Sequence, residues 1–74
     1  ILISIRENDE IWMDQRQIDR RAVRANVERM YAENPEGSVI ILADENAKTG
    51  ILIEVMDQAR LAGVANVSIA AERD

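Results

Sequence analysis

Five consecutive apolar residues, Val39-Ile40-Ile41-Leu42-Ala43, stand between Ser38 and Asp44. The run has strand length and is apolar on both faces, the pattern of a strand buried on both sides inside a parallel or mixed sheet. It therefore predicts a central strand around which the remaining elements must pack. No longer apolar run occurs, and this one falls far below the roughly 20 residues that span a bilayer. Seventy-four residues suffice for one domain, 1–74. A chain of this size buries only about 60% of its unfolded surface, so the core is expected to be thin.

The flanking segments follow the two elementary periods. Ile1, Ile3 and Ile5 alternate with Ser4 and Arg6, a half-buried strand. Glu7-Asn8-Asp9-Glu10 has turn chemistry, Ile11-Trp12-Met13 is the return strand, and Arg16-Gln17-Ile18 adds a short third strand after a turn at Asp14-Gln15. Asp19 is placed to cap a helix whose apolar stripe is Val23, Val27, Met30 and Tyr31. That helix is expected to stop before Glu33-Asn34-Pro35. After the central strand, Thr49 is expected to cap a second helix with the stripe Leu52, Val55, Met56 and Ala59, and Gly63 stands where a C′ glycine belongs. Val67-Ser68-Ile69-Ala70-Ala71 closes the chain as the last strand. The fold class is α+β: a small mixed β-sheet with two helices packed on one face. The order is strand, strand, short strand, helix, strand, helix, strand.

Composition excludes several chemistries. Nine Lys and Arg against 14 Asp and Glu give a net charge of −5, which argues against nucleic acid as a partner. Histidine and cysteine are both absent. Disulfides, thiol nucleophiles, Ser-His pairs and zinc sites of nitrogen or sulfur ligands are thereby removed. No two carboxylates pair convincingly, so neither an enzyme nor a cofactor is expected. The chain starts at Ile1 rather than at methionine and is expected to be a fragment of a longer protein.

Four features have partner-binding chemistry, each with a plain structural alternative. Asp44, at the carboxyl end of the central strand, has the location ligands favour in open α/β sheets, but acidic loop residues are ordinary turn formers. With Thr49 it defines the place where a small regulatory effector would bind. Lys48-Thr49-Gly50 lacks the glycine spacing of a phosphate loop. Arg20, Arg21 and Arg24, with Arg16 nearby, form a candidate patch for an anionic partner. Its alternative is pairing with Asp14, Asp19 and Glu28. Trp12, the single tryptophan, points away from Ile11 and Met13 and either packs at the core edge or anchors a partner. The last strand, Val67 to Ala71, has no proline and no charge before Glu72, and is a candidate edge for pairing with another strand, as is the hairpin edge near Trp12.

The stretch Val39-Ile40-Ile41-Leu42-Ala43-Asp44, a short polar loop, Ile51-Leu52-Ile53-Glu54-Val55-Met56-Asp57, Ala62-Gly63-Val64 and a final Val67-Ser68-Ile69 resembles the periplasmic domain of the ExbD/TolR family. Ile1 to Arg21 matches more loosely, and Thr49-Gly50 replaces the aromatic often found at the start of the second helix. The resemblance implies a parent protein with a short cytoplasmic tail, one transmembrane helix and this domain on the periplasmic face of the inner membrane. It implies a homodimer that works with an ExbB- or TolQ-like membrane protein as a proton-driven motor energising a TonB- or TolA-like protein. The proton-carrying aspartate of such a motor belongs to the transmembrane helix, outside these residues. ExbD-like members serve TonB-dependent transport across the outer membrane, and TolR-like members are associated with peptidoglycan. The phrase from Ala43 to Met56 is closer to the ExbD-like form.

Overall fold

The computed structural model describes residues 1–72. The elements are β1 (Leu2–Ile5), β2 (Ile11–Met13), β3 (Arg16–Ile18), a single 3-10 turn (Arg20–Ala22), α1 (Val23–Glu33), β4 (Val39–Asp44), α2 (Thr49–Leu61) and β5 (Val67–Glu72). They form one five-stranded sheet in the order β3-β2-β1-β4-β5. β2 lies antiparallel to β1 and to β3, whereas β1–β4 and β4–β5 are parallel, so the sheet is mixed as expected.

Local chemistry explains the joints. Asp14 and Gln15 both adopt positive φ, 51° and 63°, the backbone of a two-residue hairpin turn whose twist suits its flanking strands. This turn makes the short β3 possible. The Asp19 carboxylate accepts the Arg21 amide at 2.8 Å, capping the 3-10 turn that leads into α1. Helix α1 closes with the Asn34 amide donating to the Met30 and Tyr31 carbonyls, immediately before Pro35. Gly63 ends α2 with φ 98°, a conformation that strains any residue with a Cβ.

One expected cap is not made. Helix α2 begins at Thr49 and receives no side-chain hydrogen bond from its own N-cap residue, Lys48. The Ile51 and Leu52 amides donate to the Lys48 carbonyl, and the amide of Lys48 itself is held by the β1–β2 hairpin. Asp9, at φ 65°, takes the Lys48 amide on one carboxylate oxygen at 3.0 Å and lies 3.7 Å from Lys48 Nζ with the other. A carboxylate at this helix end also complements the helix dipole, which a threonine hydroxyl does only weakly.

The core is a single layer between helices and sheet. Ile3, Ile5, Ile11, Met13, Val39 and Ile41 are buried against Val23 and Val27 of α1 and Val55 and Ala59 of α2. Residues of opposite parity tell a different story. β4 alternates between buried and more exposed positions, and Ile40 is 45% exposed. The two-sided burial expected for Val39–Ala43 is therefore corrected: both helices cover the same face, and the other face of the sheet is open. Among the described residues no helix is long and apolar enough to cross a membrane.

Candidate partner-binding edge

β5 lies at one edge of the sheet, with β4 on one side and no strand among the described residues on the other. The Val39 amide donates to the Asn66 carbonyl at 2.9 Å, and Val67 is in register with Val39. Backbone direction alternates along a parallel strand. Asn66, Ser68 and Ala70 thus turn their amides and carbonyls towards β4, while Val67, Ile69 and Ala71 turn theirs outward. On the helix side of this strand Val67 is half-buried and Ile69 is 47% exposed, because the helix layer stops short of the edge. Free donors and acceptors beside uncovered apolar surface are what an added strand requires.

The opposite edge lacks these properties. β3 has only three residues, with Arg16 and Gln17 exposed. Short, charged edge strands resist pairing. Trp12 is not on an edge at all, since β2 is flanked by β1 and β3. The expectation of a hairpin edge near Trp12 is corrected accordingly: the expected third strand forms beside β2 and hides that edge. Trp12 is half-buried on the open face. Its Nε1 donates to Glu10 at 3.2 Å, and the Arg6 guanidinium lies 4.1 Å from the ring centroid.

The arginine cluster is distributed among carboxylates. Arg20 pairs with Glu54 at 3.9 Å, Arg21 with Asp19 at 3.6 Å and Arg24 with Glu28 at 3.3 Å. Exposed pairs of this kind contribute about 0–1 kcal/mol each and are readily exchanged. The backbone near Arg20 and Arg24 is pinned by a residue that sequence reasoning missed. The Gln58 side chain of α2 donates to the Arg20 carbonyl and accepts the Arg24 amide, joining both helices where α1 begins. Neither Gln58 nor the Asp9 clamp has a local signal, because each meets a partner 34 or more positions away. Asp44 accepts the Asn46 amide at 2.9 Å, which is the turn-forming role.

One titration follows from the Asp19 cap. The Arg21 amide bonded to Asp19 lowers its carboxyl pKa below the ordinary 3.8, with smaller help from the Arg21 and Arg20 charges. A depressed folded-state value means the cap's contribution is complete above the ordinary pKa and is lost as pH falls through the lower folded value. An NMR titration of the Asp19 side-chain carbon should give a midpoint below 3.8, and Arg21→Gln should move it upward. A wild-type midpoint at or above the ordinary value would show that the cap does not form in solution.

Comparison with known proteins places the chain in a family. The family model for biopolymer transport protein ExbD/TolR matches residues 1–74. The chain is similar to the biopolymer transport protein exbD2 of Vibrio cholerae serotype O1, with 38% identity over 73 residues. That alignment covers 99% of this chain and 54% of the relative, so the chain spans about half the length of the protein it matches. A match from the first β-strand to the last residue identifies the chain as a member of the ExbD/TolR family of biopolymer transport proteins.

Proposed function

We propose that this domain is the periplasmic interaction module of a proton-motive-force-driven energy transducer of the ExbB–ExbD–TonB type, supporting TonB-dependent transport across the outer membrane. In this reading the domain performs no catalysis. A transmembrane helix preceding it joins an ExbB- or TolQ-like protein, and the domain transmits force by holding a strand of a TonB- or TolA-like protein or of a second copy of itself. The observation that carries the reading is the β5 edge: its outward amides and carbonyls have no strand beside them among the described residues, and Val67 to Ala71 contains neither charge nor proline.

The peptidoglycan-binding alternative draws on Arg20, Arg21 and Arg24, and their carboxylate partners weaken it. A small effector near Asp44 and Thr49 would have to compete with Asp44 for the Asn46 amide and with Asp9 for the Lys48 amide. Chemical-shift mapping with a periplasmic peptide from the TonB-like protein tests the main reading. The largest shifts are expected at Val67, Ile69 and Ala71, with new protection of their amides from exchange. Shifts confined away from β5 would refute edge pairing.

A further inference from the structure

The face of the sheet opposite the helix layer has a shape of its own. Ser4 is small and lies in register between Trp12 on β2 and Leu42 on β4. Together with Leu2, and with Met30 reaching in from α1, these residues line a trough of about 700 Å³ that follows β1. Leu2 and Ile40, in register at one end, are 52% and 45% exposed. The trough's ends are acidic: Asp14 lines one, and Glu7 and Asp44 line the other. The single cation among the lining residues, Arg6, is laid on the Trp12 ring. Three carboxylates therefore border an apolar floor with one guanidinium between them.

We propose that this trough is a docking site for a cationic amphipathic helix of a partner protein. The face of a sheet has spent its amides and carbonyls within the ladder, so the occupant must satisfy its own backbone; a helix does so and an extended strand does not. Charge selects among helices. Asp14 lies level with Leu2 and Asp44 with Arg6, four residues apart along β1, which is about 13 Å. That distance is about nine residues of helix, so basic residues on either side of a two-turn apolar stripe would meet both acidic ends. A second copy of this face would bring like charges together, and an anionic membrane surface would be repelled. The site is separate from the β5 edge, and each can fail without the other.

Trp12 supplies the reporter, being the only tryptophan in the chain. The domain would be titrated with a leucine–lysine amphipathic peptide of about 14 residues, its leucine–glutamate counterpart, and a proline-interrupted version of the first. The leucine–lysine helix is expected to shift Trp12 emission and the Ser4 and Leu42 amide resonances, and the other two peptides to leave them unchanged. Glu7→Gln with Asp14→Asn should weaken binding about tenfold, whereas Asp57→Asn with Glu33→Gln, on the helix layer, should not. Ser4→Arg should abolish the emission change while circular dichroism stays native. The proposal is overturned by silence of Trp12 towards the basic helix, by an equal response to the acidic or proline-interrupted peptide, or by indifference to the Glu7 and Asp14 changes. It is also overturned by emission that depends on domain concentration alone, which would mean a second copy, or by a response to phosphatidylglycerol vesicles instead of peptide. Shifts restricted to β5 would likewise reject the trough while supporting edge pairing.

Discussion

Ile41→Ala is expected to cost the domain about 2–5 kcal/mol, whereas Ile40→Ala, one position earlier on the same strand, should cost about 1 kcal/mol or less. Ile41 is fully buried between Ile3 and Ile69 in the ladder, beneath the helix layer. Its truncation leaves a cavity that neighbouring branched side chains fill poorly. Ile40 has the same chemistry on the other side of the same strand, and it is 45% exposed. For 74 residues a typical total stability is about 4–11 kcal/mol, so the first substitution removes a large share of it. Urea unfolding of both variants checks this. The Ile41→Ala midpoint should fall steeply with the slope unchanged, and the Ile40→Ala midpoint should stay near wild type. Equal losses at the two positions would mean that both faces of the sheet are covered in solution.

That contrast also explains what a sequence of this kind discloses. Alternation in Ile1–Arg6, the Val23/Val27 and Val55/Ala59 stripes, the Pro35 stop and Gly63 are local signals, and each element stands where they put it. The run Val39–Ala43 was legible as a strand but not as a one-sided one. Hydrophobicity records that a surface avoids water, not which partner covers it, and two of the five residues of this run, Ile40 and Leu42, face the side that the helix layer does not cover. Thr49 was a sound cap by local rules, but the helix starts one residue earlier than that cap allows, with Lys48 at the N-cap held by Asp9, a contact 39 positions away that only the finished sheet creates. Gln58 is invisible for the same reason. The β5 edge was legible because its credentials, no charge and no proline, are compositional, and the burial of the Trp12 edge follows from the third strand, Arg16–Ile18, that the sequence also marked.

Backbone direction along β5 separates two proline substitutions that sequence alone treats alike. Ile69 turns its amide outward, so Ile69→Pro removes no hydrogen bond to β4. Proline is tolerated on edge strands with this orientation. Ser68 turns its amide inward to β4, so Ser68→Pro breaks the ladder and leaves a carbonyl of β4 unsatisfied, at about 1–3 kcal/mol before any steric cost. The expected result is a folded Ile69→Pro domain with nearly native thermal unfolding and a markedly destabilised Ser68→Pro domain. Binding of a TonB-like strand should respond in the opposite sense. Ile69 supplies the middle outward amide, and its proline ring would occupy the place of the partner's carbonyl, so affinity should fall about a hundredfold, equivalent to about 2.7 kcal/mol. Ile69→Ala controls for the loss of a side chain that is 47% exposed, and should retain most of the binding because the main chain is intact. Calorimetry on the three variants gives the answer: a well-folded Ile69→Pro domain that binds as wild type does would place the partner away from β5 and end the edge-pairing reading.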